Sequence, residues 1–233
     1  MATIENVAGE TSAVGFPELE SGDRLTRAEF ERRYTAMPHL KKAELIEGVV
    51  YVPSPVTHPD HSAPHLRLTT WLGTYLAFTP GVDAGDNATI RLDLDNEPQP
   101  DAFLRILPEC GGQSWNDGRY IGGAPELIAE VAASSASYDL HDKLHAYRRN
   151  GVREYLVWRV LDRAIDWFAL RHERYEPISA DRLRSEVFPG LWLDAAALLR
   201  GDLAQVLALL QQGLASPEHA EFVRRLQNAG SSG

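Results

Sequence analysis

Cysteine is nearly missing from this chain: Cys110 is the only one in 233 residues. No internal disulfide can form, which fits a reducing compartment and makes the cytoplasm the expected location. The lack of a cysteine cluster, and of any His-Glu-x-x-His run, leaves a zinc site poorly supported. Long apolar stretches are missing too. None approaches the roughly 18–20 residues needed to cross a bilayer, so no membrane association is expected. The N-terminus has no basic region followed by an apolar stretch, so no secretory leader is expected. Positive charge is scarce: 23 Lys and Arg stand against 33 Asp and Glu, a formal net charge of -10. That counts against a non-specific grip on nucleic acid, which comes from cations neutralising phosphates. A metal-dependent enzyme is penalised less, because its own carboxylates add negative charge that a bound cation offsets.

What remains is an ordinary globular balance, 44% hydrophobic and 24% charged, long enough for one domain with a sizeable core plus tails. Residues 1–22 read as a loose acidic lead-in, 23–200 as an α/β domain, and 201–233 as a helical extension ending in a disordered tail. Thr26 followed by Glu29 is a capping-box pattern that opens a short helix through about Ala36. Ala43 to Val52 reads as two short strands around Glu47-Gly48. Leu68, Trp71, Leu72, Tyr75 and Leu76 repeat at helical spacing, predicting a helix over 60–78. Strands are expected at 89–94 and 101–107, an irregular Gly-rich loop over 108–123, and a buried strand over 126–132. A helix over 138–150 stops at Asn150-Gly151. Strands follow at 154–160, 164–170 and near Tyr175, and the chain turns helical from Asp194. These elements make a mixed sheet flanked by helices.

Glu130 carries the chemical signal. It sits in Leu127-Ile128-Ala129-Glu130-Val131-Ala132, and a carboxylate in so apolar a strand costs several kcal/mol unless paired or metal-bound. The plain alternative is a glutamate paired with an arginine. Asp101, after Pro100 at the start of another apolar strand, is its natural partner, although strand starts also carry Asp for turn reasons. Two carboxylates from neighbouring strands form a hard oxygen site suited to Mg²⁺ or Mn²⁺. Asp139, Lys143 and Tyr147 share one helical face; by base rate Asp139 and Lys143 are a surface ion pair, and the functional reading aims Lys143 at the metal centre. His58, His61 and His65 cluster near a helix start, with His61 an auxiliary proton-transfer candidate. Glu47 reads as turn chemistry, and Glu44 as a second auxiliary, an inward-facing carboxylate.

In this order the pieces resemble the Uma-two family within the PD-(D/E)XK nuclease superfamily. The resemblance runs from about Thr26 to Leu199. It rests on Glu44-Leu45-Ile46-Glu47-Gly48, on Ser54-Pro55 with His61 downstream, and on Gln99-Pro100-Asp101. Leu127 to Val131 followed by Ser134 adds to it. So do Asp139, Lys143 and Tyr147 leading into Gly151-Val152-Arg153-Glu154-Tyr155, and Phe188-Pro189-Gly190-Leu191. It implies a restriction-endonuclease-like fold, with Asp101 and Glu130 holding the metal. The superfamily places a lysine two residues after the acid, where this chain has Ala132. Residues 130 and 132 share a strand face, so alanine leaves a slot there, and the resemblance suggests a migrated lysine, Lys143, that fills it.

The leading expectation is a Mg²⁺-dependent endonuclease with Asp101, Glu130 and Lys143 at its centre, DNA as substrate and RNA as the alternative. Arg148, Arg149, Arg153, Arg159 and Arg163 are candidate phosphate contacts. A catalytically silent binding module on the same scaffold competes with it. In a third reading the acids form structural ion pairs and the protein works through a homodimer.

Overall fold

The computed structural model describes residues 17–53, 57–133, 138–178 and 183–231. Residues 1–16 of the expected lead-in, the final Ser232-Gly233, and the Ser54-Pro55 and Ser134 of the resemblance lie outside the described residues. The part of the lead-in that is described is tied down: Leu19 is buried and the Gly22 N–H donates to Val50 O.

Helix α1 (Arg27–Thr35) starts where Thr26 caps it, its side chain accepting from the Glu29 N–H. The hairpin of β1 (Glu44–Ile46) and β2 (Val49–Tyr51) closes on Glu47 and Gly48, with φ of 50° and 71°. Two successive positive-φ residues match the twist of a two-residue hairpin turn, which explains the glycine. A wide π-helical turn, His58–Ser62, leads into α2 (Ala63–Ala77), whose Leu68, Trp71, Leu72 and Tyr75 are buried as their spacing predicts.

Six strands form the central sheet in the order β11-β10-β9-β8-β5-β3. They are β3 (Val82–Gly85), β5 (Ala102–Ile106), β8 (Leu127–Ala132), β9 (Glu154–Arg159), β10 (Ala164–Arg171) and β11 (Arg174–Pro177). Only β8 and β9 run parallel; a second π-helical turn, Asp139–Lys143, and helix α3 (Leu144–Arg149) cross between them. Every residue of β8 is buried, as expected of a strand covered on both faces. One face, carrying Ala102, Leu104, Leu127, Ala129, Val131, Leu156 and Trp158, packs on α2 and the C-terminal helices. The other, carrying Phe103, Ile128, Ala132, Tyr155 and Val157, packs on Tyr147 of α3. Asp101 and Glu130 have the parity of this second face.

Two expectations need correction. The 108–123 segment is not an irregular loop: β6 (Trp115–Asp117) and β7 (Tyr120–Gly122) form a hairpin that pairs with β4 (Ile90–Arg91). Its glycines serve packing, since a Cβ on Gly122 or Gly123 would stand 2.5–2.6 Å from the Trp115 ring. The strand expected over 89–94 shrinks to Ile90–Arg91, and β3, too poor in β-branched residues to announce itself, forms the sheet edge. The chain turns helical at the C-terminus as expected, and these helices pack on the sheet. After β12 (Leu183–Arg184), β13 (Trp192–Leu193) and α4 (Ala195–Arg200) come α5 (Leu203–Leu214) and α6 (Pro217–Gly230). Their Val206, Leu210, Phe222 and Leu226 join the main core. No helix among the described residues is long and apolar enough to cross a membrane.

Candidate active site

The antiparallel register of β5 and β8 sets Ala102 opposite Ala129, and one step further Asp101 meets Glu130. Pro100 has no N–H to offer a ladder, and side chains take over the pairing. The Val131 N–H donates to Asp101 Oδ2 at 2.8 Å, and the Asp101 N–H to Glu130 Oε2 at 3.3 Å. Each acid is thus fixed by the other strand's backbone.

Lys143 arrives from the second π-helical turn. Its Nζ stands 2.8 Å from Glu130 Oε1, 3.0 Å from Glu44 Oε1 and 3.7 Å from Asp139 Oδ1, with the side chain 4% exposed. Asp139 and Lys143 are therefore not the surface pair that base rates favour. The Tyr147 hydroxyl donates to Glu130 Oε1 at 3.0 Å, so the face shared by residues 139, 143 and 147 points inward as a unit. Glu44 also accepts from the Gln99 N–H at 2.7 Å, which ties the first hairpin to the segment carrying Asp101. Glu47, exposed, pairs with Arg149 at 3.2 Å.

The more open side belongs to Asp101. His61 Nε2 lies 3.2 Å from its Oδ1 and His65 Nε2 lies 2.9 Å from its carbonyl oxygen. A carbonyl and a carboxylate only accept, so both rings donate through Nε2–H, and a lone pair remains only on Nδ1 of each neutral ring. Lys42 Nζ, 3.7 Å from the same Oδ1, is a second cation that sequence reasoning missed. The available signal was its parity with Glu44, two residues on in an extended segment. Among the described residues, no three His, Cys, Asp or Glu side chains form a ready-made metal cage.

Burial, helped by Asp101, Asp139 and Glu44, pushes the Glu130 carboxyl up to about 8 against the pull of Lys143. Burial would lower Lys143, but Glu130, Glu44 and Asp139 hold it protonated, well above the usual lysine range. Burial also works to raise Asp101, yet His61, Lys42 and the Val131 N–H keep it at about 2. Four carboxyl side chains (44, 101, 130, 139) thus gather around two lysines (42, 143).

The expected phosphate-contact arginines are largely engaged elsewhere. Arg149 pairs with Asp93 and Glu47, Arg159 with Asp162 and Asp166, and Arg148 with the Glu173 carbonyl. Arg153 donates to Gln113, and Arg163 occupies the β9–β10 turn with φ of 52°. Two other acids in the sheet are buried for structural reasons. Glu126 accepts from the N–H groups of Ile106 and Gln113, and Glu154 from Ser185, Glu186 and Val187.

A mixed sheet with one parallel crossover, flanked by helices and carrying its acids at the end of two central strands, is restriction-endonuclease-like. The chain belongs to the Uma2 family: the family model, described as "Putative restriction endonuclease", matches residues 27–196. Among solved structures it is similar to the crystal structure of a "putative nuclease belonging to DUF820" from Anabaena variabilis, with a TM-score of 0.50. The two share 12% identity over 77% of this chain and 97% of that one, so the likeness carries the fold. No curated protein matches the sequence.

Proposed function

We propose that this protein is a Mg²⁺- or Mn²⁺-dependent endonuclease that hydrolyses phosphodiesters of DNA. The observation that supports it best is the pair Asp101 and Glu130. Their strands lock them together, they are buried, and with Glu44 and Asp139 they outnumber the cations around them. The donor set is all hard oxygen. It suits a cation held through one or two carboxylates, with water and substrate phosphate completing the shell, rather than a full protein cage.

Asp101 and Glu130 would hold the cation, which when bound polarises the phosphoryl oxygen and eases formation of hydroxide. The chain's own residues do the rest. Lys143, held protonated by three carboxylates, is a donor rather than a base, so it orients Glu130 and the attacking water without taking a proton from it. Tyr147 keeps the Glu130 carboxyl from turning, and Glu44 fixes both Lys143 and the Gln99 backbone. His61 and His65 brace Asp101 through its carboxylate and its carbonyl.

One observation favours a silent binding module instead. Glu130 Oε1 is already shared by Lys143 and Tyr147, and burial with the neighbouring acids pushes its carboxyl up to about 8. Two measurements separate the readings. Supercoiled plasmid should be nicked with Mg²⁺ or Mn²⁺ by the wild type, and not by the near-isosteric Asp101→Asn and Glu130→Gln. Calorimetry should find Mn²⁺ binding in the millimolar range or tighter. No cleavage and no heat from the folded wild type would reject the enzyme reading.

A further inference from the structure

The two lysines of the site are in opposite situations. Lys143 is spent: three carboxylates surround its ammonium and 4% of its side chain is exposed. Two of its three donors lie within 3.0 Å of Glu130 and Glu44, and turning either toward a phosphate would break a buried pair. Lys42 is different. Its side chain is 26% exposed, and the Asp101 carboxylate stands 3.7 Å away, beyond direct hydrogen-bond distance. Its charge lies at the open side of the centre, beside the His61 edge, and its donors remain available.

The surroundings leave few rivals for that role. Arg149 and Arg159 are engaged by acids away from the centre. Arg91, on the small sheet, is surrounded by Glu31, Glu97 and Asp117. A protein with a net charge of -10 that handles a polyanion needs a cation near the reacting centre, because the phosphate must approach carboxylates that repel it.

Resting on the nuclease reading above, we propose that Lys42 contacts the backbone phosphate, giving its ammonium to a non-bridging oxygen beside Asp101, whereas Lys143 is a positioning residue that stays with its carboxylates. A cation bound by Asp101 would strengthen this division. It takes over the charge that Lys42 offsets and frees the flexible stem of Lys42 to follow the substrate.

The test uses the full-length wild type, Lys42→Gln and Lys42→Arg. Single-turnover nicking of supercoiled plasmid is measured with Mn²⁺ over a range of KCl concentrations, and Mn²⁺ binding to the free protein by calorimetry. Lys42→Gln should lose on the order of 10²-fold in cleavage rate, the scale for removing one preorganised donor to transition-state charge. Its log–log salt slope should fall by about one phosphate contact. Lys42→Arg should recover most of the rate, and Lys42→Gln should bind Mn²⁺ at least as tightly as wild type, because a competing charge has gone from beside Asp101. Cleavage and salt slope unchanged in Lys42→Gln, with an active wild type, overturn the Lys42 assignment alone. So does a loss of Mn²⁺ affinity in step with the loss of rate, since Lys42 would then merely hold Asp101. A wild type that neither cleaves nor binds Mn²⁺ removes the nuclease reading, and this inference with it.

Discussion

Replacing Lys143 with methionine should be among the most damaging single changes in this protein, and the damage should grow with pH. The side chain is 4% exposed and lies 2.8 Å from Glu130, 3.0 Å from Glu44 and 3.7 Å from Asp139. At an effective dielectric near 20 each contact is worth roughly 4–6 kcal/mol before desolvation, which returns most of it. Mutational experience with broken buried pairs puts the net loss at about 3–5 kcal/mol, because the partner acids are left uncompensated. For a chain this long that is roughly 6–20 °C in Tm. The variant has one escape, which is to protonate its orphaned carboxyls. The Glu130 carboxyl, already up at about 8, then moves higher, so the folded state binds the extra proton. The penalty therefore widens as pH rises above about 8, where the wild-type Glu130 carboxyl ionises and the variant's does not. Urea unfolding followed by tryptophan fluorescence at several pH values measures the gap. Adding Glu130→Gln should return part of the loss, with a coupling of about 1–3 kcal/mol. A variant within about 1 kcal/mol of wild type throughout, or a gap that narrows with rising pH, would refute the buried-network argument.

Glu154 gives a related signature away from the site. Burial pushes its carboxyl up to about 7 despite donation from Ser185, Glu186 and Val187. Its folded pKa is thus above the unfolded value, and stability should fall as pH rises from about 4.5 to about 7, by at most about 3 kcal/mol. Glu154→Gln should flatten that slope in pH-dependent urea melts, and an unchanged slope would count against it. Gly213 lies inside α5, where alanine would ordinarily add helix propensity. Its Cβ would stand 2.1 Å from the Gly190 carbonyl oxygen, so Gly213→Ala should instead destabilise by about 1–3 kcal/mol, and a raised Tm would show that the contact yields.

Features legible in the sequence were those in which a residue contradicts its surroundings. An acid in a strand otherwise made of Leu, Ile, Ala and Val could only be buried, and Glu130 is. The family resemblance, with alanine at position 132, suggested a lysine from elsewhere, and Lys143 does reach Glu130. Local chemistry was also readable: the Thr26 cap and the Glu47-Gly48 turn need nothing beyond their neighbours. Pairings over long distance were not. The chain was readable as helical from Asp194, but nothing in one dimension says that α5 covers the same sheet face as α2. Gly122 and Gly123 look like loop residues until the Trp115 ring is seen lying over them. Lys42 gave only its parity with Glu44, because a lysine before a hairpin is ordinarily just solvated.

Packing also accounts for where the lysine comes from. Ala132 is fully buried among Tyr147, Tyr155 and Val157. A lysine there would have to displace side chains of this cluster, packed at crystal-like density. The π-helical turn at 139–143 delivers the same charge from above, alongside Asp139 and one helical step before Tyr147. The strand then carries Glu130 as its one charged residue, and a single short helical segment places the ammonium, its counter-acid and the phenol that fixes Glu130. Moving the lysine off the strand thus relieves a crowding problem in the sheet, and it leaves Lys143 so closely held that any work on the substrate's charge falls to a cation at the open side.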